Sequence, residues 1–227
     1  MMKRLISSII VLSLLSAGGV ARAEEGKGGT EVSATLKTWV NEWKHDVPGM
    51  GRKISDNSIA LVGPAVEVEF QNGPVIEAAY LMSLSYYKFN DAGVTSEIAR
   101  RDIELAIGKW FNRYGGFFMG YRNSSFKEQE GGAKGFSYGL TYSLRGSVPF
   151  IGTSSLYGNL TYLSIMFKAE GQAREEAPGW ITEIGGRTVF TKQFAMKLGY
   201  KWETTERKTT KIKDSFRGTA LELTYAF

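Results

Sequence analysis

Residues 136–150 read Phe-Ser-Tyr-Gly-Leu-Thr-Tyr-Ser-Leu-Arg-Gly-Ser-Val-Pro-Phe. The even positions are apolar or aromatic apart from Gly146, and the odd positions from Ser137 to Ser147 are small, polar or charged. Successive side chains of an extended chain point to opposite faces, so this stretch is one long strand with a greasy face and a polar face. An average strand in a soluble sheet has about 5–6 residues, whereas a tilted strand crossing a bilayer needs about 9–11. The stretch is long enough to cross.

The same pattern recurs on both sides. Ile76, Ala78, Tyr80, Met82, Leu84 and Tyr86 alternate with smaller or polar residues, as do Ile103, Leu105 and Ile107. Phe194, Met196, Leu198, Tyr200 and Trp202 repeat it, and so do Thr219, Leu221, Leu223, Tyr225 and Phe227. No stretch carries a comparable i, i+3, i+4 pattern. Ten segments follow, at roughly 32–43, 58–70, 75–88, 100–112, 115–126, 135–150, 155–168, 179–190, 194–205 and 216–227. Short connections (71–74, 113–114, 151–154, 191–193) alternate with long ones (44–57, 89–99, 127–134, 169–178, 206–215). The fold class expected is all-β: a closed antiparallel transmembrane β-barrel of ten strands, with short periplasmic turns and longer extracellular loops. Eight strands are the alternative, and an amphipathic periplasmic helix is the alternative for 32–43. An even count brings both ends of the barrel to one side and lets 32–43 pair with 216–227, leaving no free edge. Pro64 lacks a ladder donor, so a bulge is expected there.

Aromatic residues gather near the strand ends. Phe70, Phe111, Phe117, Phe150, Phe190, Phe194 and Phe227 lie near one set of turns. Tyr86, Phe126, Phe136, Phe167, Trp180, Trp202 and Phe216 lie near the other. Two such girdles are what two membrane interfaces select.

At the start of the chain, Met1-Met2-Lys3-Arg4 precedes the apolar run Leu5 to Leu15, and Ala21-Arg22-Ala23 has a small-x-small form. This reads as a secretory signal peptide, residues 1–23, cleaved after Ala23. Residues 24–30 read as a flexible leader and 31–227 as the barrel. Removing 1–23 takes away three of 28 basic residues and none of 23 acidic ones, so the net charge falls from +5 to +2. That leaves no charge excess for nucleic acid. With no cysteine, disulfide staples, thiol catalysis and thiolate metal sites are excluded. A mean hydropathy of −0.19 argues against membrane helices but not against a barrel, whose strands are half polar.

On these alternating strands and on the C-terminal pattern Leu221, Leu223, Tyr225 and Phe227, the chain resembles the small Gram-negative outer-membrane β-barrel proteins of the OmpA- and OmpW-like type, barrel only. The resemblance implies residence in a Gram-negative outer membrane. It also implies that those four residues are the signal read by the barrel-assembly machinery. It implies no single activity, because the fold hosts channels, adhesins, anchors and enzymes. The partners expected are outer-membrane lipids, lipopolysaccharide and the assembly machinery, with the barrel a monomer.

Parity places Lys37, Glu67, Glu69, Glu77, Asp102, Glu104, Arg122, Arg145, Glu183, Arg187, Lys197, Lys201, Glu203 and Glu222 inside. The hairpin at 191–193 sets Glu183 opposite Lys201 and Arg187 opposite Lys197, with Glu222 as the compensating carboxylate. A three-residue loop Asn72-Gly73-Pro74 would set Glu69 opposite Glu77. Tyr157, Leu163, Trp110 and Phe118 also point inward and narrow the lumen. The expected role is a barrel with a charged lumen, structural or a narrow passive pore for small solutes or ions. A surface-loop protein binding lipopolysaccharide or another partner is the alternative, because loop 206–215 carries four basic residues.

Barrel enzymes of this size resemble lipid A deacylases or omptin-type proteases, with a rim histidine and carboxylate or serine partners. The single histidine, His45, falls in the first long connection within Lys44-His45-Asp46. Val47 breaks a His-x-Ser pattern, and Glu42-Trp43-Lys44-His45 breaks an Asp-x-His strand. No enzymatic activity, catalytic residue, metal or cofactor is therefore expected.

Overall fold

The computed structural model describes residues 29–71, 73–91, 94–112, 114–129, 132 and 134–227. The expected signal peptide and residues 24–28 of the leader lie outside the described residues. Among the described residues there are thirteen strands: β1 Glu31–Val47, β2 Gly51–Ile54, β3 Ile59–Glu69, β4 Pro74–Ser83, β5 Tyr87–Asp91, β6 Val94–Trp110, β7 Gly115–Glu128, β8 Lys134–Pro149, β9 Ser154–Ala169, β10 Glu175–Glu176, β11 Gly179–Val189, β12 Phe194–Glu206 and β13 Lys213–Ala226.

Ten of these close an antiparallel barrel in the order β1-β3-β4-β6-β7-β8-β9-β11-β12-β13, with β13 pairing back onto β1. The first segment is thus a strand, its register running from Ser33↔Ala226 to Asp46↔Lys213. The three extra strands are short: β2 folds back on β1, β5 on β6 and β10 on β9. They occupy what the sequence suggests are loops, because β1, β6 and β9 continue past the bilayer zone and offer edges to pair with.

Two local expectations need correction. The turn between β3 and β4 closes with the Phe70 amide on the Pro74 carbonyl at 2.9 Å and the Gly73 amide on the Phe70 carbonyl at 2.8 Å. The three-residue loop is 71–73, one position earlier than 72–74, and this moves the register by two, so Glu67 lies opposite Glu77 and Glu69 opposite Val75. No bulge forms at Pro64: Val62↔Met82 and Ala65↔Ala79 keep one register on either side. The two strands instead approach closely at Gly63. A Cβ there would stand 1.8 Å from the Tyr80 carbonyl oxygen, an approach only glycine permits.

The outward face is apolar, with Ile76, Ile103, Leu105, Ile107, Leu140, Leu144, Leu160, Ile184 and Leu198 exposed to the lipid zone. Phe111, Phe150 and Phe190 ring the short-turn end, and Trp180, Trp202 and Phe136 the long-loop end. Phe126, Phe167 and Phe216 do not belong to that outer girdle. Phe216 is buried, and Phe126 and Phe167 pack against the two interior clusters. On β7, β9 and β13 these three occupy the inward parity, which proximity to a strand end does not override.

Candidate functional site

The lumen is built in three levels. At mid-depth, Arg100 and Asp102 from β6, Arg122 from β7 and Glu203 from β12 form one ion-pair layer. Arg100 donates Nε to Asp102 Oδ1 at 3.0 Å and Nη2 to Asp102 Oδ2 at 2.9 Å, and Nη2 also reaches Glu203 Oε2 at 3.0 Å. Arg122 Nη2 lies 2.9 Å from both Asp102 Oδ2 and Glu203 Oε2, and its Nε is 3.3 Å from Glu104 Oε1. Arg100 is 0% exposed and Asp102 1%. A charge taken this far from water is tolerated only when paired and hydrogen-bonded, and here two cations meet two anions.

Aromatic rings pack above the layer. The Arg100 guanidinium carbon stands 4.1 Å from the Phe216 ring centre, with Phe126 and Trp39 at 5.6 and 5.5 Å. Trp43 stacks on Phe216 at 5.1 Å and contacts Tyr87 and Phe89 edge-on. Tyr87 in turn donates its hydroxyl to Asn41 Oδ1 at 2.6 Å.

Below the layer lies a periplasmic chamber of about 660 Å³ lined by most of the remaining lumen charges. Arg145 is bidentate on Glu77, at 2.5 and 2.8 Å. Glu222 lies between Lys37 at 3.4 Å and Lys197 at 3.1 Å. Glu183 is aligned with Lys201 but accepts its hydrogen bond from Tyr157 at 2.7 Å, while the Lys201 ammonium sits 4.6 Å from the Trp39 ring centre. Arg187 is aligned with Lys197. Glu67, Glu69 and Arg187 line the same chamber.

Above the layer a second chamber, of about 500 Å³, opens toward the long loops. Trp43, Phe89, Phe126, Ile165, Phe167 and Phe216 supply its apolar wall, and Arg122 lines both chambers. The ion-pair layer is therefore the partition between them.

This outer chamber holds what sequence reasoning missed. His45 lies on β1 rather than in a loop, opposite Asp214 of β13. Its Nδ1 is 2.6 Å from Asp214 Oδ1, which also accepts the Trp43 indole N–H at 2.9 Å. Arg207 Nη2 lies 3.4 Å from Asp214 Oδ2. A carboxylate only accepts, so Nδ1 carries a proton and donates it to Asp214. The signal was available: continuing the 32–43 with 216–227 pairing upward in register brings 45 to 214. Arg100 was missed at the first residue of its segment, although it shares parity with Asp102.

The loop charges are partly spent within the molecule. Lys208 pairs with Glu176 at 2.5 Å, and Glu175 caps the Thr209 and Thr210 amides at 3.2 and 3.0 Å. No group of three or more potential metal ligands is found among the described residues.

No protein-family model and no curated protein sequence matches the chain. Solved structures do. The outer membrane protease OmpT from Escherichia coli aligns with a TM-score of 0.62 at 13% identity, over 91% of this chain and 99% of that one. Ail, the attachment invasion locus protein of Yersinia pestis, aligns at 0.40 and 12% identity over 88% and 99%. A FadL homologue of Pseudomonas aeruginosa aligns at 0.39 and 9% identity over 87% and 90%. At these identities the likeness is one of fold: the chain has the closed antiparallel ten-stranded barrel of outer-membrane β-barrel proteins. The expectation that the chain is not an enzyme does not stand. The barrel it shares with OmpT is one that carries a protease, and the histidine set aside as a loop residue is on a strand with a carboxylate at 2.6 Å.

Proposed function

We propose that this is a Gram-negative outer-membrane barrel closed to passage through its lumen, with the outer chamber as the site where it meets molecules from outside. The single observation that carries the reading is the partition: Arg100, Asp102, Arg122 and Glu203 bonded across the lumen beneath a packed aromatic layer. Charges that satisfy one another fill and stiffen a barrel only slightly wider than the eight-stranded size that side chains can fill. The narrow passive pore is the reading this displaces. The rest of the cellular picture rests on sequence: a signal peptide cleaved after Ala23, an ending at Leu221, Leu223, Tyr225 and Phe227 read by the assembly machinery, and a monomer seated among lipopolysaccharide. The affinity with the OmpA- and OmpW-like type rests on that ending and the strand pattern.

Planar-bilayer recording tests closure. The wild type is expected to give no steady single-channel steps. The charge-neutral pair Arg100→Ala with Glu203→Ala, which removes two side chains of the partition, is expected to give them. Steady steps from the wild type would overturn the closed reading.

A second reading is favoured by the His45–Asp214 pair. A base oriented by a carboxylate, on the wall of a chamber, is arranged to take a proton from water. The reading is hydrolysis in the outer chamber. Because OmpT is a protease, peptides are the first substrates to try. Cleavage of a fluorogenic peptide mixture should fall about 10²–10⁴-fold in His45→Ala. A wild type that cleaves nothing, or a variant that cleaves equally well, sinks it.

A further inference from the structure

We infer that the outward face of β6–β9, at the long-loop end, binds the phosphate groups of lipid A in the outer leaflet. The inference lies outside both chambers and rests only on the barrel sitting in a Gram-negative outer membrane.

Parity and register assemble this face. Arg101 on β6, Lys127 on β7, Lys134 on β8 and Lys168 on β9 share the outward parity of Ile103, Tyr121, Phe136 and Leu160 on the same strands. All four basic residues are exposed. The ladders set Arg101, Ser125, Phe136 and Lys168 in one row, through Arg101↔Ser125, Ser125↔Phe136 and Phe136↔Lys168. One outward step nearer the loops, Lys127 stands directly opposite Lys134, which also reaches the rim of the outer chamber. Arg174, in the connection after β9, brings its guanidinium carbon to 6.0 Å from the ring centre of Tyr138 on the same face.

The depth is that of a lipid headgroup. On β6 the apolar run Ile103, Leu105 and Ile107 is bounded by Lys109 at the short-turn end and by Arg101 at the other. From 101 to 109 the strand advances about 26 Å at about 3.3 Å per residue, and a tilt of about 35–45° reduces that to about 20 Å across the membrane. That is close to the apolar band of about 25 Å in such barrels. Phe136 of the long-loop girdle shares the Arg101 row, so the cations begin where the interface does.

These charges are unspent. Among the described residues none of the five makes an ion pair or a side-chain hydrogen bond. The carboxylates nearby are committed elsewhere: Glu97 pairs with Lys88 at 2.9 Å, Glu176 with Lys208 at 2.5 Å, and Glu128 lines the outer chamber. Glu170, whose amide bonds the Lys134 carbonyl at 2.9 Å, is the one carboxylate left on this face among the described residues. Like charges directly opposite, as at Lys127 and Lys134, are unfavourable until an anion stands between them. Arginine and lysine on a lipid-facing wall find that anion in phosphate oxygens. Arg101 and Lys168 stand three strand spacings apart, about 14 Å. Lipid A carries a phosphate at each end of a disaccharide and can engage both sides of the face, whereas a phospholipid brings one phosphate.

The test uses the full barrel in phosphatidylcholine nanodiscs and counts retained lipid by native mass spectrometry. The probes are diphosphoryl lipid A, the same lipid stripped of its phosphates, and phosphatidylglycerol. The expected result is one diphosphoryl lipid A per barrel, held about tenfold more tightly than either other lipid. The triple variant Arg101→Gln, Lys127→Gln, Lys168→Gln should lose that preference, and the single Lys168→Gln part of it. Lys109→Gln, outward at the other end of β6, should keep it. Each variant is checked as folded by its heat-dependent gel shift. Equal retention of the two lipid A forms, or a triple variant as selective as the wild type, overturns the site. Phosphatidylglycerol held as tightly as lipid A overturns the choice of lipid, and displacement by excess inorganic phosphate overturns a lipid in favour of the free ion. A barrel that does not enter the nanodisc at all counts instead against its place in a membrane, so the two failures are distinguishable.

Discussion

Arg100→Ala should destabilise the folded barrel by about 3–5 kcal/mol, the cost of removing one partner from a buried ion-pair network. The substitution leaves Asp102 and Glu203, both almost fully buried, sharing Arg122 alone. Two negative charges then face one positive charge where water cannot compensate. The aromatic layer also loses the group that Phe216 stacks against at 4.1 Å. Urea unfolding in micelles, followed by tryptophan emission, measures the loss. A double variant separates charge from packing. Arg100→Met combined with Glu203→Gln removes one charge of each sign and keeps most of the volume. It should recover most of the stability, because replacing a buried pair by groups of similar size is often neutral or better. The difference between the single and double variants is the coupling energy. If Arg100→Ala costs less than about 1 kcal/mol, the partition does not hold the barrel together.

Gly218→Ala should be comparably damaging for a different reason. Gly218 lies on β13 at the seam that closes the barrel, aligned with Asn41 of β1 and Lys201 of β12. A Cβ there would stand 1.8 Å from the Val40 carbonyl oxygen and 2.7 Å from the Asn41 Cα. Both are backbone atoms, so no rotamer change relieves the clash and the two strands have to part. Core overpacking typically costs about 1–3 kcal/mol, and a forced separation of paired strands belongs at or above the top of that range. The expected result is a barrel that fails to give the folded, heat-shiftable band. Gly186→Ala is the control. A Cβ there meets nothing within 4 Å, so stability should stay within about 0.5 kcal/mol of the wild type. A Gly218→Ala barrel as stable as the control would show that the seam has slack.

Much of this molecule is legible without coordinates. Strand number, the pairing of the first strand with the last and the parity of each side chain all follow from alternation, which repeats every two residues and needs no knowledge of neighbours. Nearness to a strand end is a poorer guide than parity. It groups Phe126, Phe167 and Phe216 with the outer girdle, while their parity places them inside. The exclusion of His45 fails because it weighs only sequence neighbours, from Glu42 to Val47, when the partner Asp214 lies 169 residues away on the adjoining strand. The shift from Glu69 to Glu67 opposite Glu77 comes from a turn placed one position earlier, to which alternation is blind.

What the sequence by itself determined is therefore the barrel and the inner face. What only the tertiary structure decided is which inner side chains meet. Arg100 and Glu203 are 103 residues apart on β6 and β12, strands that are not neighbours in the sheet. Their contact depends on how far each strand slides along the barrel axis before the sheet closes. That stagger is a property of the closed cylinder as a whole. A charged lumen can be open or blocked with the same residues. Here the stagger brings two arginines and two carboxylates to one depth, and the lumen is divided there.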